Sequence, residues 1–100
     1  MDVVAMQGRI TIDNAKEMRR RLAGALASKP NYLTVDLAEV AYIDTSALAT
    51  LVEAARIARG QGTKLILRGV QGQTQYLLQI TELGHLFDIR GQEARADEHP

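Results

Sequence analysis

Short apolar runs with a period of two alternate along this chain with longer stretches of helical period. That alternation restricts the chain to a sheet covered by helices. Residues 3–6, Val-Val-Ala-Met, read as a strand; Gly8 interrupts it, and Arg9-Ile10-Thr11 resumes as a second. Asn14 stands as a helix N-cap, with Glu17 at capping-box spacing. Ala15, Met18, Leu22 and Ala25 or Leu26 then share one helical face, opposite Lys16, Arg19 and Arg20, and Lys29-Pro30-Asn31 closes the helix. Residues 32–37 alternate, with Leu33, Val35 and Leu37 on one face and Tyr32, Thr34 and Asp36 on the other. Residues 40–43 lead into a second helix, which turns Leu48, Leu51, Val52 and Ala55 inward and takes Gly60 as its C-terminal stop. Leu65-Ile66-Leu67 is apolar throughout, as in a strand buried on both sides. A third helix lies within residues 70–83, with Val70, Leu77 and Ile80 as its inner face, and residues 86–89 form a last short strand.

The order β, β, α, β, α, β, α, β predicts an α/β fold with right-handed crossovers. The expected sheet is mixed, with four to five strands and helices packed mainly on one face. A chain of 100 residues makes one domain. It is expected to occupy residues 1–90, followed by a polar, disordered tail over residues 91–100.

Composition removes several function classes. Twelve Lys and Arg balance twelve Asp and Glu, so no strong field commits the chain to direct nucleic-acid binding or to an anionic membrane. Without cysteine there is no disulfide framework, no thiolate chemistry, and no expected metal site. No Gly-rich loop follows a strand, so neither a dinucleotide site nor a P-loop is predicted, and no cofactor is expected. The N-terminus has no basic segment followed by an apolar core, and no apolar run reaches the roughly 18 residues that span a bilayer. A cytoplasmic protein without membrane insertion is the expectation.

The chemistry-bearing stretch is Ile43-Asp44-Thr45-Ser46-Ala47-Leu48, where strand-like sequence gives way to the second helix. A hydroxyl at a helix N-terminus caps orphan N–H groups. The same position accepts a phosphate, because free N–H groups and the helix dipole favour negative charge. Thr45 and Ser46 are therefore either caps or a phosphorylatable switch, and the two readings are compatible. Asp44 is either a favourable loop acid or part of a recognition surface. A third possibility is a small acyl or phosphoryl transferase using Thr45 or Ser46. Against it, the histidines are His85, a turn residue beside Gly84, and His99 in the tail, and no base stands at a recognisable spacing. The chain is read as a non-enzyme.

The pattern resembles the STAS domain, the fold of anti-sigma factor antagonists, from Val3 to about Ile89. Gly8-Arg9-Ile10 is similar to the family's Gly-x-Leu/Ile opening, and Leu33-Thr34-Val35-Asp36-Leu37 to its central strand, usually Val-x-Leu-Asp-Leu. Ile43-Asp44-Thr45-Ser46-Ala47-Leu48 is similar to its Asp-Ser-Ser-Gly-Leu signature, and the run from Gly62 through Lys64, Leu65 and Leu67 to Gly69 to the strand before its third helix. Three departures stand out. Ala47 replaces the signature glycine, Thr11 stands where an acid often follows Gly-x-Ile, and no amphipathic C-terminal helix is visible after Ile89.

The resemblance implies a phosphorylation-switched protein-binding module with Thr45 as phosphoacceptor and Ser46 as the fallback. Asp44, Thr45, Ser46, Ala47 and Leu48 form the implied contact region. The implied partners are an anti-sigma factor that is also a serine/threonine kinase, sequestered by the unphosphorylated form, and a metal-dependent protein phosphatase. The rival within binding proteins is a STAS subunit of a lipid-transport ABC complex, which also carries Thr at the acceptor position and binds its ATPase subunit.

Overall fold

The computed structural model of the protein describes residues 2–90. The expected disordered tail, residues 91–100, lies outside them. Four strands and three helices alternate: β1 (Asp2–Ile10), α1 (Ala15–Ala27), β2 (Tyr32–Ile43), α2 (Thr45–Gln61), β3 (Lys64–Arg68), α3 (Gly72–Ile80) and β4 (Asp88–Arg90), with a 3-10 turn at Gly84–Leu86.

Gly8 does not divide the first strand. Val4, Met6 and Ile10 are all buried and keep an even spacing across it, so residues 2–10 form one strand. β2 likewise joins two stretches that the sequence pattern separates. Its buried apolar residues Leu33, Val35, Leu37, Val40 and Ile43 step by two and then by three. Each longer step falls at a register shift against β1: Ala5 pairs with Asp36 but Gln7 with Glu39, and Gly8 with Val40 but Arg9 with Tyr42. Each time β2 carries the extra residue, as a bulge does, and the bulge returns an apolar side chain to the covered face.

The sheet order is β1-β2-β3-β4, and every neighbouring pair is parallel. The expected mixed sheet is thus corrected to a parallel sheet of four strands. The cause is that each strand is joined to the next by a helical crossover, which returns the chain to the same starting edge. Three such crossovers stepping in one direction put their helices on one face. α1 packs on β1 and on α2, while α2 lies over β2 and β3. Leu22, Leu33, Leu37, Ile43, Leu51 and Leu67 are fully buried between these layers. Leu65, Ile66 and Leu67 are all buried, as expected of an inner parallel strand.

Three local expectations change. Asn14 precedes α1 without capping it; its side chain instead accepts from Thr11 N–H at 2.8 Å and donates to Arg9 O at 2.9 Å, while Glu17 pairs with Arg20. α2 runs through Gly60 and stops at Gly62, whose φ of 82° lets its N–H reach back to the Ala58 and Arg59 carbonyls. In α3, Thr74 and Leu78 face the core, Leu77 is half-buried and Ile80 is 56% exposed; Val70 is buried but precedes the helix. The helical phase starts at Gly72 and is set by docking on β2.

β2 outruns β3, which pairs only with residues 32–36. α3 occupies the overhang. The Gln73 amide accepts from Ile43 N–H at 3.0 Å and donates to Ile43 O at 2.9 Å, and Gln71 donates to Ala38 O at 2.6 Å. Two side chains thereby supply partners that a further strand would supply. Gly69 makes the close approach possible: a Cβ there would meet Ala38 at 2.7 Å.

Candidate functional site

β2 delivers the chain to α2 at the carboxyl edge of a parallel sheet, where α/β folds place their ligand and partner surfaces. Ile43 is fully buried and held on both backbone groups by Gln73, so the strand end is fixed. Asp44 N–H then donates to Ile10 O at 3.1 Å, extending the pairing with β1 by one step.

The cap is Asp44. It is extended, with φ −101° and ψ −175°, and its Oδ1 accepts from Ala47 N–H at 2.9 Å. Its Oδ2 accepts from Ile12 N–H, also at 2.9 Å. One carboxylate thus ties the start of α2 to the loop between β1 and α1. Its charge also suits the positive end of the helix dipole.

Because Asp44 caps, the hydroxyls do not. Thr45 is the first residue of α2 and is exposed, and Ser46 is half-exposed. The Ser46 carbonyl accepts from Thr50 Oγ1 at 3.0 Å. Neither the Thr45 nor the Ser46 hydroxyl has a hydrogen-bond partner among the described residues. Ala47 and Leu48 are buried and belong to the core. Within the expected contact region, then, Asp44, Thr45 and Ser46 form surface, and Ala47 and Leu48 support it from below.

The residue missed by sequence reasoning is Ile12. It is 73% exposed, and its backbone is held by Asp44 beside the hydroxyls. The sequence signal was an isoleucine set between Thr11 and Asp13, outside any periodic run. An exposed apolar side chain beside a free hydroxyl suits a protein contact. His85 sits in the 3-10 turn, with its Nδ1–H donating to Glu82 O at 2.9 Å. Among the described residues no three His, Asp or Glu side chains gather as a metal site, and no helix is long and apolar enough to cross a membrane.

The division of roles has a direct test. Asp44→Ala is expected to lower stability by about 1–2 kcal/mol, through the lost cap and the lost tie to Ile12. The paired change Thr45→Ala, Ser46→Ala is expected to stay within about 0.5 kcal/mol of wild type, as at other exposed positions. Urea denaturation midpoints decide the matter, and the reverse ranking would return the cap to the hydroxyls.

A parallel sheet covered by helices, with an exposed hydroxyl at the tip of the second helix and a polar loop tied beside it, defines a small α/β domain. The chain belongs to the STAS domain family: the sequence model described as Mlab, STAS domain matches residues 1–89. Solved structures with the same fold agree. A Thermotoga maritima protein, TM1081, described as a candidate anti-sigma factor antagonist, superposes with a TM-score of 0.80 at 22% identity, covering 97% of this chain and 86% of that one. The anti-sigma factor antagonist SpoIIAA, in its unphosphorylated form, gives 0.70 at 12% identity over 96% of this chain and 86% of its own. The STAS domain of a SulP transporter from Vibrio cholerae gives 0.68 at 21% identity over 88% and 70%.

Proposed function

We propose that this protein is an anti-sigma factor antagonist, acting through binding rather than catalysis. Its unphosphorylated form sequesters an anti-sigma factor that is also a serine/threonine kinase, in the cytoplasm. The kinase ends the interaction by phosphorylating Thr45, with Ser46 as the second acceptor, and a metal-dependent phosphatase restores it. The observation that carries this reading is that the Thr45 hydroxyl is exposed and spared from capping by Asp44. It is therefore available for phosphoryl transfer without loss of the helix start. A phosphate there adds about −1.5 to −2 charges where the helix end tolerates them, beside Asp44. The likeness of fold to SpoIIAA and TM1081 supports the assignment.

A second reading keeps the same face and changes the partner: a STAS subunit docked on the ATPase of a lipid-transport ABC complex. It is favoured by the matching family model, whose description is Mlab, STAS domain and not an anti-sigma factor antagonist. One experiment separates the two. The protein is incubated with the anti-sigma kinase or the ABC ATPase of its own genome, each with ATP, and binding and phosphopeptides are measured. Kinase binding with phosphate on Thr45 supports the antagonist. Binding to the ATPase alone transfers the function to the transport complex. A phosphopeptide elsewhere moves the switch away from α2.

A further inference from the structure

The chain is neutral overall, yet its cations are not evenly spread. A groove of about 840 Å³ opens between the C-terminal part of α2 and the segment that runs from the 3-10 turn into β4. It lies at the far end of α2 from Thr45. A helix of 17 residues spans about 25 Å, so the groove is separate from the proposed docking face.

Its floor is apolar, with Ala58, Leu65 and Phe87 all buried. Its rim carries Arg56, Arg59 and Lys64, all exposed. Asp88 is the carboxylate in the lining, and it is committed already, to Arg90 at 2.7 Å and Lys64 at 3.5 Å. Arg56 and Arg59 make no ion pair among the described residues. They stand three positions apart on one helix, so they are surface neighbours. Arg59 also complements the helix C-terminus from the last turn, a role that Arg56, one turn earlier, does not share.

We propose that this groove binds an organic phosphate, its phosphoryl group held by Arg56 and Arg59 and its apolar body lying over Leu65 and Phe87. Guanidinium groups suit this head because their forked donors match phosphate oxygens. The apolar floor selects against free inorganic phosphate, which has nothing to place there. The unpaired cations select against a neutral apolar molecule of the same shape.

Naphthyl phosphate is the probe, with naphthol and inorganic phosphate as its two halves. Calorimetric titration of the full chain should give saturable binding of naphthyl phosphate, with each half at least about tenfold weaker. Amide NMR shifts should fall on residues around Arg56, Arg59 and Leu65 and spare Thr45. The double change Arg56→Gln, Arg59→Gln, at exposed positions, should weaken the probe about tenfold or more, with the denaturation midpoint lowered only slightly by the loss of Arg59 from the last turn of α2. The idea fails if naphthol binds as well as its phosphate, if the shifts map to Thr45, or if the double variant binds unchanged. It also fails if an acidic peptide displaces the probe at lower concentration than naphthyl phosphate itself, which would make the groove a protein contact. None of these outcomes bears on phosphorylation of Thr45.

Discussion

Thr45→Glu is expected to weaken binding to the anti-sigma kinase by about a hundredfold or more, with little change in far-UV circular dichroism. Stability and binding part company here for a physical reason. At the first position of α2 a carboxylate meets the positive end of the helix dipole, and Asp44 still holds Ala47 N–H. The helix therefore persists. At an interface the same charge must be desolvated beside the charge of Asp44, which no cation among the described residues pairs. Such a mismatch costs several kcal/mol, and a hundredfold corresponds to about 2.7 kcal/mol. Thr45→Ala, by contrast, should keep the partner bound and abolish the main phosphopeptide. Equal affinity of wild type and Thr45→Glu would remove the α2 tip from the contact face.

The largest effect on stability is expected at Leu51. It is fully buried in the core that α2 forms over the sheet. Leu51→Ala removes its methyl groups and leaves a cavity between layers that are themselves packed, at a cost of about 2–5 kcal/mol. A domain of this size is commonly stable by only about 5–15 kcal/mol, so the variant should unfold at much lower urea. Val52, half-buried beside it, is the control, and Val52→Ala should cost clearly less. An unchanged midpoint for Leu51→Ala would show that α2 turns another face inward.

What the sequence made legible was governed by local rules. Met18, Leu22 and Leu26 are one helical stripe, and they are the buried face of α1. Leu65-Ile66-Leu67 is an unbroken apolar run, and all three residues are buried in β3. The junction at Asp44 was legible because a strand pattern meets a helix pattern there. What stayed hidden depends on partners distant in the chain. The two bulges of β2 are visible only against β1, since a step of three looks locally like the end of a strand. The direction of the sheet follows from crossovers, not from any residue. Choosing between an aspartate and two hydroxyls for one cap needed the position of Ile12, far away in sequence. The inner face of α3 was misread because the Gln73 clamp on Ile43 rotates the helix to a phase that its few apolar residues do not specify.

The cap at Asp44 also bears on how such a protein changes over generations. A signalling residue that also held up the fold could be altered only at the expense of the fold. Here the structural duty sits one position earlier, and the Thr45 hydroxyl has no hydrogen-bond partner among the described residues. Position 45 is therefore open to exchange among threonine, serine and acidic residues without cost to the helix start. Under the proposed function, a lineage could gain, retune or lose the switch by single substitutions, while Asp44 stays under the constraint of the fold.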